Sequence, residues 1–173
     1  MVKERNTVKQ MFADAMKTSV EEKSFDKITI GDLCEKCDRN RKSFYYHFKS
    51  KYDLLQWIFH TECIEKVSEK SYGDAFAYLQ EVCKYLAQNE RLYRKVFKHD
   101  EQQIFSKYFR SLLVPVIEKY TCGENAAFYT AFYADAFVNE IQKWLLAQNR
   151  LSAKDFVHLL QQCMCGDETD KTQ

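Results

Sequence analysis

The sequence predicts an all-α fold, and three observations carry that reading. One proline and four glycines in 173 residues leave little turn chemistry for β-hairpins. The apolar residues, 11 tyrosines and 13 phenylalanines among them, recur at spacings of three and four rather than two. Between these periodic stretches lie short polar clusters of the kind that start and stop helices.

The first helix spans about Arg5 to Glu22, with Val8, Met11, Phe12, Ala15 and Val20 on one stripe and Lys9, Asp14, Lys17 and Glu21 facing outward. Phe25 and Ile28 lead into the segment from Thr29 to Lys51, which has the grammar of a helix-turn-helix. Thr29 followed by Asp32 predicts a capped start, and Ile30, Leu33 and Cys34 supply the inner face. Asp38 to Asn40 break that helix and cap the next, which runs from about Asn40 to Tyr46 with Phe44 turned inward. Ser50 with Asp53 opens a fourth helix to about Lys70, whose Leu54, Leu55, Trp57, Ile58, Phe59 and Val67 make it a floor for the first three and a connector onward.

Helices follow around Phe76 to Leu86 and Leu92 to Phe97, then from Gln103 to Lys119, where Pro115 predicts a kink because it lacks a backbone donor. A long helix from Ala126 to Gln148 and a Ser152-capped helix to about Cys163 complete the set. The expected organisation is residues 1–50 as a helix-turn-helix domain, 51–165 as a helical regulatory domain, and 166–173 as a disordered tail without apolar residues.

The formal net charge is only +1, but the first 50 residues hold 11 Lys and Arg against 8 Asp and Glu. Arg39, Arg41, Lys42, Lys49 and Lys51 stand in a stretch without acids, interleaved with Tyr45, Tyr46 and His47. Such a cationic, aromatic surface suits a phosphate backbone. No apolar run approaches the roughly 20 residues that span a bilayer, so a cytoplasmic chain without membrane partners is expected. The seven cysteines are scattered and odd in number, which is not a secreted disulfide framework. Cys34 and Cys37 read as small buried hydrophobes, and His60 and Cys63 lack a closed metal-binding set, so no metal or cofactor is expected. No nucleophile elbow, phosphate-cradling glycine loop or metalloprotease motif occurs, which argues against an enzyme.

The segments FDKITIGDLCEKC and NRKSFYYHFKSKYDLLQWIF resemble the tetracycline-repressor (TetR/AcrR) family of bacterial transcription regulators. LYRKVFKHDEQQIFSKYF and FYADAFVNEIQKWLL are similar to the regulatory domain of its DhaS-like subgroup. The resemblance implies a DNA-reading helix carrying Arg41, Lys42 and Ser43 at base edges, with Thr29, Tyr45, His47 and Lys51 on phosphates. Asp38 and Arg39 depart from the Gly and small apolar residue usual in the family's turn. Lys42 likewise replaces a usual Gly or Gln.

The resemblance also implies a homodimer built on the last two long helices. Tyr133, Phe137, Glu140, Trp144, Phe156 and Leu160 are the expected interface, so an aspartate at Trp144 or Leu160 should give monomers. Ring density suggests an effector pocket among Tyr85, Tyr93, Phe105, Tyr108, Phe109, Phe128 and Tyr129. The resulting expectation is a homodimeric regulator on a palindromic duplex operator, a repressor by the habit of the family, controlled by a small molecule or a protein co-regulator. The competing reading is a helical interaction module with a degenerate helix-turn-helix.

Overall fold

The computed structural model describes residues 2–70, 72, 74–100 and 102–165, with the side chains of 2–6 left aside; the expected tail at 166–173 lies outside the described residues. The described residues contain helices and no strand. In chain order they are α1 (Val2–Glu22), a short 3-10 turn (Phe25–Lys27), α2 (Ile30–Lys36), α3 (Arg41–His47), α4 (Lys51–Phe59), a π turn (His60–Ile64) and α5 (Glu65–Ser68). Then follow α6 (Ala75–Gln88), α7 (Glu90–Lys98), α8 (Ile104–Ile117), α9 (Ala126–Leu146) and α10 (Ala153–Cys165).

The chain divides into two compact units, residues 1–66 with 91–105 and residues 67–90 with 106–173. The first unit is thus larger than the 50 residues expected for it. Its core explains why. Phe12, Met16 and Val20 of α1 are buried together with Leu33 of α2, Phe44 of α3 and Leu54, Leu55, Ile58 and Phe59 of α4. Phe59 meets Tyr93 and Phe105 edge to face at 5.6 and 5.7 Å, so α7 and the start of α8 complete the same core. Lys95 of α7 donates to the carbonyls of Val20 and, at 3.2 Å, Lys23, satisfying acceptors at the open end of α1. A chain stopped at residue 50 would lose these partners.

The fourth helix expected to run unbroken from Lys51 contains a π turn at His60–Ile64. Within this turn, Glu62 pairs with Lys17 of α1 at 2.5 Å, while Cys63 and Ile64 are buried. Burial pushes the Cys63 thiol up to about 12, so it remains protonated and inert.

In the second unit α6 packs chiefly on α10 and also on α9. Leu79, Val82, Cys83 and Leu86 meet a core that includes Phe137, Ile141 and Leu145 of α9 and Val157 and Leu160 of α10. Asp74 caps α6 by accepting from the Ala77 amide at 2.7 Å, and Ser152 caps α10 by accepting from Asp155 at 3.1 Å. Pro115 sits in the last turn of α8, and the Glu118 amide still reaches the Val114 carbonyl at 2.9 Å.

The expected dimer residues need correction here. Phe137, Trp144, Phe156 and Leu160 are buried within the single chain. Trp144 stacks on Phe156 at 4.9 Å with an interplanar angle of 8°, its Nε1 donates to the Leu151 carbonyl at 2.9 Å, and the Arg150 guanidinium lies over its ring. The helical period was read correctly, but the face it defines packs inward on the chain's own α10 and α6. Only Glu140, paired with Lys143 at 2.7 Å, and the half-buried Tyr133 remain outside that core. Trp144→Ala is accordingly expected to destabilise the chain by about 3–5 kcal/mol. Chemical denaturation of the variant would measure this loss, and a fully folded chain that merely dissociates would contradict the placement.

Candidate nucleic-acid interface

The geometry of the helix-turn-helix follows from its caps. Thr29 and Asp32 form a reciprocal box: the Thr29 hydroxyl accepts from the Asp32 amide at 3.2 Å, and Asp32 Oδ2 accepts from the Thr29 amide at 2.7 Å. The Thr29 hydroxyl also donates to Asp32 Oδ2 at 2.8 Å, and Lys23 lies 2.7 Å from the same carboxylate. Lys23 and then Thr29 hold the Asp32 carboxyl well below its ordinary range, so it stays ionised.

The turn closes on Asp38. Its φ of 49° is left-handed; its amide reaches the Glu35 carbonyl at 3.3 Å, and the Arg39 amide reaches Cys34 at 2.9 Å. These two bonds make a Schellman closure, for which glycine is the usual residue and Asp a tolerable one. Asp38 therefore leaves the turn intact. Arg39 extends over α1, its Nη2 3.7 Å from the Met11 sulfur. Asn40 then caps α3 by accepting from the Ser43 amide at 2.8 Å.

Phe44 sets the rotation of α3. Its buried ring meets Phe12 edge to face at 5.2 Å and Phe48 at 5.7 Å. With that face turned inward, Arg41, Lys42, Tyr45 and Tyr46 are exposed, the two tyrosines at 57% and 64%. His47 is half-buried, its ring 5.0 Å from that of Tyr46. Among the described residues no carboxylate is paired with Arg41 or Lys42. Tyr46, expected only as part of the cationic, aromatic surface and given no contact of its own, lies four residues after Lys42 and so on the same face.

Lys51 has a different occupation from the phosphate contact expected of it. Its ammonium donates to the carbonyls of Phe25, Asp26 and Ile28 at 2.8, 3.0 and 3.0 Å and lies 4.8 Å from the centre of the Phe25 ring. All three donors are engaged, which pins the turn before α2 to the start of α4. Burial lowers its pKa, consistent with a partly desolvated strut.

This arrangement has counterparts among known proteins. The family description "Bacterial regulatory proteins, tetR family" matches residues 14–58, and "Transcriptional regulator C-terminal region" of the same family matches residues 73–166. The chain belongs to the TetR family. It is a transcriptional regulator and not an enzyme. The dhaKLM operon transcriptional activator DhaS of Lactococcus lactis is 24% identical over 156 residues, covering 78% of this chain and 82% of that protein. The solved structure of a dihydroxyacetone kinase operon activator DhaS superposes with a TM-score of 0.63 at 24% identity, covering 91% of this chain and 96% of that one. A TetR regulator from Streptococcus agalactiae gives 0.72 at 20% identity, over 94% and 96% of the two chains. These likenesses fit the DhaS-like character of the C-terminal region.

The rings expected to line an effector pocket occupy varied settings. Tyr93 and Phe105 stack at 5.7 Å inside the first unit. Within the second unit Phe109 is buried, Tyr85 and Tyr108 are half-buried, and Phe128 and Tyr129 are exposed. The second unit holds a narrow apolar cleft between Phe76, Leu113, Ile117, Tyr120, Phe137 and Met164. A solvent-open groove of about 480 Å³ lies between α8 and α9, lined by Arg110, Val114, Glu118, Thr121, Thr130 and neighbouring alanines. None of the seven rings lines either one.

Two outcomes follow for this TetR-family interface. Asp38→Gly should stabilise the chain by about 1 kcal/mol, because the strained backbone loses its Cβ; a rise in melting temperature checks it. Lys51→Ala should cost about 1.5–3 kcal/mol of stability through the lost charge-assisted hydrogen bonds. It should leave the salt slope of DNA binding unchanged under conditions where the variant is folded, measured by titration at several salt concentrations.

Proposed function

We propose that the chain is a homodimeric, sequence-specific regulator that places α3 in the major groove of a palindromic operator. Its operator affinity is set by a small molecule or a protein co-regulator. The observation that carries this reading is α3 itself, held by Phe44 with Arg41, Lys42, Tyr45 and Tyr46 on its outer side. Lys42 and Ser43 serve as base readers, and Tyr45 and His47 meet the phosphodiester backbone, whereas Thr29, whose amide and hydroxyl both donate to Asp32, acts as the cap of α2 rather than as the phosphate contact expected of it. Phosphate contacts fix register, whereas base-edge contacts specify sequence.

A seven-residue recognition helix spans only about 10 Å, enough for a few base pairs. Two copies related by a two-fold axis would read two half-sites about 34 Å apart. Support for a dimer comes from apolar surface the chain leaves uncovered. Phe128 and Phe132 stack on each other at 6.3 Å and are 66% and 56% exposed, and Leu159 of α10 is 48% exposed. We assign the interface to this outer face of α9 and α10, in place of the buried residues expected from sequence.

The α8–α9 groove has the volume of a small-molecule site; in its wall the Thr121 and Thr130 hydroxyls bond each other at 2.6 Å and Arg110 pairs with Asp135, over an alanine floor. It supports the effector reading in place of the dispersed rings. Any effector bound there must have its own affinity altered by operator in the same ratio, since coupling is reciprocal. DhaS is named as an activator, and a promoter fusion assayed with and without the chain gives the sign here.

Selection of bound sequences from a random duplex pool should yield a palindrome, and Lys42→Ala should relax preference at one position by about 1–3 kcal/mol. Phe132→Asp should produce a folded monomer by sedimentation with weakened operator binding. An unenriched pool would refute the DNA reading, and a monomeric unmodified chain would refute the dimer.

A further inference from the structure

Arg41 is one of three residues expected at base edges, yet its guanidinium does not simply extend from the end of α3. It lies back across the first turn of α2. A Cβ added to Gly31 would stand 3.3 Å from Arg41 Nη2 and 3.4 Å from Thr29 Oγ1, so the guanidinium lies against the backbone at Gly31, and a side chain there would push it outward by a few tenths of an ångström. Gly31 needs no special backbone angle here, since its φ lies outside the left-handed region. Its contribution is the missing side chain. The charge of Arg41 is also felt by the Cys34 thiol one turn further along α2, where it offsets part of the effect of burial.

The acid nearest to this turn does not neutralise Arg41. Asp32 is taken by Lys23 at 2.7 Å and by the hydroxyl and amide of Thr29. Among the described residues no carboxylate is paired with Arg41. The result is an exposed guanidinium whose Nη2 lies beside Gly31 of α2, without a paired carboxylate among the described residues.

We propose that Arg41 is a phosphate-clamping residue that grips the DNA backbone from the space above Gly31, leaving base reading to Lys42 and Ser43. The guanidinium fork matches two oxygens of one phosphodiester. Arg41 belongs to α3 and Gly31 to α2, so the guanidinium lies where the two helices meet. This inference rests on the DNA-binding reading above.

The test uses the full-length chain and three variants, Arg41→Ala, Arg41→Lys and Gly31→Ala, each checked for helicity. Binding is measured against salt on the duplex selected by the unmodified chain and on a scrambled duplex, and the random-pool selection is repeated with Arg41→Ala. Arg41→Ala should weaken both duplexes by a similar factor, lower the magnitude of the log–log salt slope by about one per protomer, and select the same motif. Arg41→Lys should retain the slope while losing affinity on both duplexes, because it keeps the charge and lacks the fork. Gly31→Ala, which removes no charge and displaces the guanidinium by only a few tenths of an ångström, should weaken both duplexes by a smaller common factor. Loss of preference at a single base position in the Arg41→Ala pool, or an unaltered salt slope in that variant, would overturn the clamp. Failure of the unmodified chain to enrich any sequence would instead overturn the reading beneath it.

Discussion

Burial of Phe44 is the constraint on which the DNA-facing geometry depends. A seven-residue helix has little stability of its own, and most of what it has comes from the face it buries. Phe44 supplies that face, with Phe12 of α1 and Phe48 closing around it. Removing an aromatic side chain from water is worth about 1.5–3 kcal/mol, enough to decide the rotation of α3 about its axis. Once that rotation is set, Lys42, Tyr45 and Tyr46 have only the outer side available. The caps at Asn40 and Ser50 then fix the length of the helix, so its exposed surface is as tightly determined as its buried one.

The same packing sorts the cations. From Arg39 to Lys51 the sequence shows five positive charges, yet they are not five equivalent contacts. Lys51 is spent on three carbonyls, and Arg39 lies towards Met11 of α1. Outside the run, Lys95 caps α1 and Lys17 pairs with Glu62. Lysine does this structural work well because its long apolar stem can be buried while three donors converge at its tip. With a net charge of +1 for the whole chain, attraction to a duplex must come from a few well-placed cations rather than from a diffuse field.

Local signals were the legible part of this chain. The box at Thr29 and the caps at Asn40, Ser50 and Ser152 all recur where the sequence placed them, because a cap involves residues within one turn of each other. The departure at Asp38 was legible too, since a left-handed residue before Arg39 is a property of four or five neighbours. What the sequence concealed depends on distant segments. Nothing near Lys51 announces that three carbonyls between Phe25 and Ile28 converge on its ammonium, and nothing in α4 marks the π turn that brings Glu62 to Lys17. Trp144 shows the limit most clearly. Helical periodicity identifies an apolar face but does not say whether that face meets the chain's own α10 or a second copy.

That ambiguity is resolved by how much ring surface each side of α9 can hide. Phe137, Ile141, Trp144 and Leu145 lie on the inner face, where none exceeds a tenth of its full exposure. Phe128 and Phe132, at the other end and on another face, have no such cover and retain more than half of theirs. Two stacked phenylalanines held in water oppose the hydrophobic effect that shaped the rest of the unit. Their helix would fold equally well with polar residues at those positions, since neither ring contributes to the buried core. In the homodimer we propose, a two-fold pairing would bury these rings, each copy covering the same surface of the other.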